Sequence, residues 1–254
     1  MTKRRMKELD IKLINRLKKL GEENKYKEYL DLLNENLEKV EIRESGEKLL
    51  YLPKHLSEKI FLSFSDSDYT KAQNKKRLFL RKAVIDKLNW AQKLLPKGFH
   101  LLVNDAFRTE EMVLRLYKKY FKKGKEQNPK MSEKEIDIWL RNLLAMPDDP
   151  VPPGHMTGGA VDVVLADSKG KKISLIADYN IIPKEEQKFT FCPAMPNSIK
   201  KRRKILYDAL KRVGFNNYFR EYWHYSYGDP YWAVRRKNKT AIYGIPKKEL
   251  FEKI

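Results

Sequence analysis

The chain has 254 residues, 41% of them hydrophobic, and a formal net charge of +20. That is enough apolar material for one large domain or two small ones, and it excludes a disordered chain. A lone cysteine, Cys192, excludes an intramolecular disulfide and any multi-cysteine zinc site, and fits a reducing compartment.

The N-terminus is basic but never forms an uninterrupted apolar run, and no later stretch does either. Neither a secretory signal nor a transmembrane segment is expected, and a cytoplasmic protein follows. The basic residues are spread along the chain and interleaved with Glu, as in "KKGKEQNPKMSEKE". No zinc finger, RNA-recognition sequence or arginine-rich tract is present, so no specific nucleic-acid partner is expected. The oligomeric state is left open.

Residues 1–44 read as a helical N-terminal extension. Leu9, Leu13, Leu17 and Leu20 recur at helical spacing, then Tyr26, Tyr29, Leu30, Leu33, Leu37 and Val40. "ESGEK" breaks the pattern, and residues 45–254 form the main domain. "RLFLRKAVIDKLNWAQKLLPKG" predicts a helix with Leu78, Val84, Leu88, Ala91 and Leu95 inward, stopped by Pro96 and Gly98. "FHLLVND" is a short buried strand, and "AFRTEEM" turns out of it into a helix with Glu110 and Glu111 in its first turn. A further helix opens at "SEKE" with a Ser132/Glu135 capping box and runs to about Met146. "PDDPVPPG" is a stiff loop.

"GAVDVVLAD" and "KKISLIAD", joined by "SKGK", predict a hairpin. "NSIKKRRKILYDALKRVGF" predicts a helix capped by Asn197 or Ser198 and ended by Gly214. "NYFREYWHYSYG" alternates as a strand does, and "YWAVRRKNKTAIYG" reads as a closing hairpin. Without a regular βαβ rhythm, the fold class is α+β: a central antiparallel sheet with flanking helices.

Two places are chemically unusual. His155 lies in a Pro/Gly turn seven positions before Asp162, a carboxylate inside an apolar strand that needs a cationic partner. Glu221 and His224 lie three apart in "EYWHY". Together they offer two nitrogen donors and two carboxylates. A catalytic zinc site takes three protein ligands and an open position, with a base close by. In a regular strand residues three apart point to opposite faces, so Glu221 and His224 share a site only where the strand bends or ends. Arg108, just past a buried strand in "NDAFRTEE", offers a guanidinium to an oxyanion. Residue by residue, other readings stand beside these: a surface histidine, a hydrogen-bonded strand carboxylate, a buried Glu221–His224 ion pair, a structural arginine.

"GHMTGGAVD" resembles the H-x-x-G-x-A-x-D signature of the zinc D-alanyl-D-alanine dipeptidases and their carboxypeptidase relatives. "EYWHY" is similar to that family's E-x-W-H motif and "DAFRT" to its D-G-Y-R-P segment, in the same order over about residues 75–230. The resemblance implies one Zn2+ held by His155, Asp162 and His224. It makes Glu221 the general base and Arg108 the group that stabilises the tetrahedral intermediate. It implies an α+β fold with the zinc on one face of the sheet. Asp178 and Trp223 are the candidate substrate contacts, Trp223 being read first as packing beside the metal. Two departures stand out: Pro153 where the family has Ser, and "LIADYN" where its dipeptidases carry M-G-T-x-F-D. The implied substrate is D-Ala-D-Ala or a related short D-amino-acid peptide. The alternatives are a D,D- or L,D-carboxypeptidase on longer peptidoglycan peptides, and a noncatalytic basic module for polyanions or a protein partner.

Overall fold

The structure, a computed structural model, describes residues 32–33, 35–64, 71–141, 144–178, 186–236 and 238–254. The strands in chain order are β1 (Glu41–Ile42), β2 (Leu49–Tyr51), β3 (Phe61–Leu62), β4 (Phe79–Arg81), β5 (His100–Asp105), β6 (Ala160–Ala166), β7 (Asn216–Asn217), β8 (His224–Ser226) and β9 (Thr240–Ala241). The helices are α1 (Leu52–His55), α2 (Lys71–Arg77), α3 (Lys82–Leu94), α4 (Glu110–Gln127), α5 (Glu133–Arg141), α6 (Gly154–Thr157), α7 (Asn197–Arg212) and α8 (Pro230–Arg235).

Among the described residues the central sheet has the order β3-β5-β6-β8-β7. It is antiparallel except at its edge, where β3 runs parallel to β5. β6 lies in the middle because its sequence suits no other place. Six of its seven residues are buried, and Asp162 is the exception. Leu101, Val103, Val163 and Leu165 of the sheet share one core with Val84 and Leu88 of α3 and Leu206 and Leu210 of α7. Both helices present apolar residues at three- and four-residue spacing, which gives each one buried stripe. Each such fully buried side chain stabilises the fold by about 1.5–3 kcal/mol. α4 and α5 pack on each other, and Val113 of α4, with Met146 from the loop beyond α5, packs on Met156 of α6.

Several elements differ from the sequence reading. The helix expected from Leu78 begins only at Lys82, because Phe79–Arg81 pairs with β2. Arg81 is wholly buried there and donates to Thr157 O, Glu47 O, Gly244 O and the Glu44 carboxylate. The hairpin after β6 stops at one bridge, Ala166 to Lys172. The Trp223 carbonyl takes the Val163 N–H on that edge, so a longer strand has nothing to pair with. The Ser132/Glu135 capping box forms as expected; α5 is described over Glu133–Arg141, and Leu144 N donates to Leu140 O at 2.8 Å. α7 has Pro196 at its N-cap and no side-chain cap, and its end at Gly214 has φ +100°. The expected closing hairpin is α8 followed by β9. Asp229 caps α8 with Pro230 in its first turn, a helix-starting pair that the aromatic alternation hides.

Of the expected helical extension, residues 1–31 lie outside the described residues. The rest is tied to the domain: Leu33 packs with Phe219 and Val234, and β1 pairs with β9. No described helix is long and apolar enough to cross a membrane.

Candidate metal centre

Sheet register builds most of the site. Asp105 of β5 lies opposite Asp162 of β6, and Asp162 lies opposite His224 of β8. Residues directly opposite in antiparallel strands share a face, so these three form a row across the sheet. A register shift between Val103 and Asp105 aims Asp105 into that row. His155 arrives from α6. The chain then reverses through Gly158, whose φ of +72° suits glycine, and enters β6.

The single strand expected over "NYFREYWHYSYG" is instead β7, a turn and β8. Glu221 N donates to Tyr218 O at 2.8 Å and His224 N to Glu221 O at 3.0 Å. β8 starts at His224, so Glu221 sits on the turn and escapes the alternation of a strand. That is how two residues three apart reach one site.

His155 Nε2 lies 3.3 Å and His224 Nδ1 3.0 Å from Asp162 Oδ1. The imidazole centroids are 4.9 Å apart. One ligand atom from each of His155, Asp162 and His224 falls within 4.8 Å of the others, which makes them a group able to hold a metal ion. The hydrogen-bonding of His155 fits that role. Its Nδ1 lies 2.6 Å from Ala106 O, and a carbonyl only accepts. Nδ1 therefore donates to that carbonyl, and Nε2 is the ring nitrogen turned toward Asp162. Two nitrogens and one carboxylate oxygen are the donor set of a catalytic zinc site with an open position.

The electrostatics favour a cation at this point. Burial pushes the Asp162 carboxyl up, but the charges and hydrogen bonds of His155 and His224 outweigh it and hold it well below the usual carboxylate range. Burial pulls the His224 imidazole down, yet Asp162, helped by Glu221 and Asp229, raises it above its ordinary value. Burial pushes the Glu221 carboxyl up against the charge of His224; Asp162 adds to the rise, and Arg108 and His155 oppose it.

Arg108 is oriented by a residue the sequence reading missed. Its Nε and Nη2 donate to Asp105 Oδ2 at 2.9 and 2.8 Å, and its Nη2 stands 4.0 Å from Asp162 Oδ2. Asp105 Oδ1 accepts from Arg77 Nε at 3.1 Å, so one carboxylate is shared by two guanidinium groups. Burial pushes Asp105 up, but the charge of Arg108, with His155 and Arg77, keeps it below its ordinary value. The available signal was an Asp at the end of a buried strand, three residues before the arginine.

Arg108, His155, Asp162, Glu221, Trp223 and His224 all line one cavity of about 930 Å3. Trp223 stands edge-on to Tyr222 at 4.7 Å. Asp178 is exposed and lies outside that lining. His55 pairs with Glu252 at 3.0 Å, His100 Nδ1 lies 2.9 Å from Lys59 O, and Cys192 is buried with Met195 and Ile199.

Comparison with known proteins gives the family. A D-alanyl-D-alanine dipeptidase of Synechocystis sp. is 24% identical over 200 residues, covering 68% of this chain and 81% of that protein. The peptidase M15 family, described as D-ala-D-ala dipeptidase, matches residues 66–241. That span takes in Arg108, His155, Asp162, Glu221 and His224. The chain belongs to the D-ala-D-ala dipeptidase family of peptidases.

Proposed function

We propose that this peptidase is zinc-dependent and hydrolyses D-Ala-D-Ala or a related short D-amino-acid dipeptide. One observation carries the reading: His155, Asp162 and His224 converge to within 4.8 Å in a cavity that Glu221 and Arg108 also line. His155 Nε2, a carboxylate oxygen of Asp162 and a ring nitrogen of His224 hold the ion. The ion supplies Lewis-acid chemistry, acidifying water and polarising a carbonyl oxygen.

The protein's own groups do the rest. Glu221 accepts the proton of the attacking water as its oxygen bonds to the scissile carbonyl carbon. The same carboxyl then delivers that proton to the amide nitrogen as the C–N bond breaks. Its half-buried place, which raises its proton affinity, suits a group that must both take and return a proton. Arg108 sets positive charge against the oxyanion that develops on the carbonyl oxygen, held in place by its two bonds to Asp105. Trp223 walls the cavity.

Glu221→Ala is expected to retain stoichiometric zinc and lose release of free D-alanine. Wild-type turnover in that variant overturns the mechanism.

A second reading, a D,D- or L,D-carboxypeptidase acting on longer peptidoglycan peptides, is favoured by the size of the cavity. About 930 Å3 stands near the top of the roughly 300–1,000 Å3 found for drug-sized ligands, well beyond a dipeptide's needs. The space reaches Tyr120, Lys123 and Trp139 on α4 and α5. A kcat/KM on free dipeptide above that on a pentapeptide supports the dipeptidase, and the reverse order supports the carboxypeptidase.

A further inference from the structure

Asp229 is fully buried between the two segments that deliver the histidines. It follows β8 by three residues, and its Oδ1 caps α8 by accepting from Trp232 N–H at 2.7 Å. Oδ2 is buried without a hydrogen-bond partner. Native proteins rarely leave a buried carboxylate oxygen in that state, so its retention asks for a reason.

The surroundings of the carboxylate supply one. Oδ2 packs on Gly154, the residue before His155. A Cβ at Gly154 would stand 2.5 Å from Oδ2 and 2.9 Å from the Ala160 Cβ, so only glycine permits this approach. On the other side, Ser226 is fully buried three residues before Asp229, and its Oγ lies 3.5 Å from His224 Nε2. The Ser226 hydroxyl also bears on the Asp229 carboxyl: burial pushes that carboxyl up, and the Trp232 N–H and the Ser226 hydroxyl pull against the rise. A metal-ligating imidazole needs a partner for its second nitrogen to keep its orientation. His155 has Ala106 O for this purpose, and His224 has Ser226.

We propose that Asp229 is a positioning residue for the metal centre, setting His155 through the Gly154 backbone and His224 through the Ser226 hydroxyl. The proposal rests on the zinc reading above. One buried carboxylate thereby fixes the spacing of two imidazoles that come from segments about 70 residues apart in the chain.

Asp229→Asn separates the two oxygens. Asn caps a helix as well as Asp does, so Oδ1 and α8 are preserved. The amide replaces the charged oxygen that faces Gly154. Zinc affinity of the full chain, measured by competition with a chromophoric chelator, is expected to fall about 10–100-fold, while the melting temperature of the metal-free protein stays at the wild-type value. Wild-type zinc affinity in D229N overturns the proposal. Should D229N fail to fold, Ser226→Ala decides: affinity weaker by about 10-fold supports the proposal, and unchanged affinity overturns it. A wild-type chain that binds no zinc overturns the zinc reading and this inference together, whereas zinc bound equally by wild type and variant sinks this inference alone.

Discussion

Arg108 is held on one side by Asp105 and faces the cavity on the other, so its charge is fixed before any substrate arrives. Charge preorganised in this way is worth most in the transition state, and removing one such donor costs about 10²–10³ in kcat. Arg108→Ala is therefore expected to lower kcat by about that factor with zinc content unchanged, as steady-state kinetics beside metal analysis would record. Lys in its place keeps the charge but loses the two-pronged bond to Asp105, and falls between the two. At this scale the sequence was legible where chemistry sits in a local motif. His155 and Asp162 share one turn and strand, and Glu221 and His224 share one pentapeptide. Arg77, Ser226 and Asp229 were not legible as parts of the site, and Asp105 only as the Asp of "DAFRT", with no role assigned to it. Their place in the site depends on burial and on partners that only folding sets in position.

At the scale of elements, α4 and α5 are linked by the Tyr117 hydroxyl, which donates to Asp137 Oδ1 at 2.5 Å. Burial and this bond to a carboxylate push the Tyr117 phenol from 10.0 up to about 12. The folded chain thus keeps a proton that the unfolded chain releases. The stabilisation is whole below the unfolded value of 10.0 and is lost as pH rises through about 12. Ultraviolet titration should find Tyr117 among the late-ionising tyrosines, with Tyr225, Tyr227 and Tyr243, and Asp137→Asn should return Tyr117 alone toward 10.0. Helices with a clean apolar stripe, such as α3 and α7, could be read from spacing, because their burial is one-sided. β4 could not. Its three residues are all buried, so neither the period of a helix nor that of a strand is visible, and pairing with β2 decides. The break between β7 and β8 was hidden for a similar reason: aromatics fill both faces of that turn, and backbone bonds alone mark where the strand begins.

Over the whole molecule, Arg81 ties together residues distant in sequence: Glu44 and Glu47 before it, Thr157 beside the candidate metal centre, and Gly244 near the end. The turn carrying His155 is thereby coupled to the overall fold. Zinc should in turn stabilise the fold, since a ligand that binds only the native state adds about 2.7 kcal/mol at one hundred times its Kd. Chelation is then expected to lower the melting temperature by roughly 5–10 °C for a chain of this size, and zinc to restore it, as calorimetry would measure. No shift on chelation would count against a resident ion. The net charge of +20 acts at this scale too, favouring salt-sensitive contacts with polyanions without specifying a partner.

The sequence by itself determined the α+β class, the family, and the residue types available for the centre, because those rest on composition and on short motifs whose spacing survives in the unfolded chain. Only the tertiary structure decided that Asp105, Asp162 and His224 stand in one row, that Glu221 turns inward, and that Asp229 is buried against Gly154. Strand register and burial cause these arrangements, and both are properties of pairing between distant segments that no local window contains.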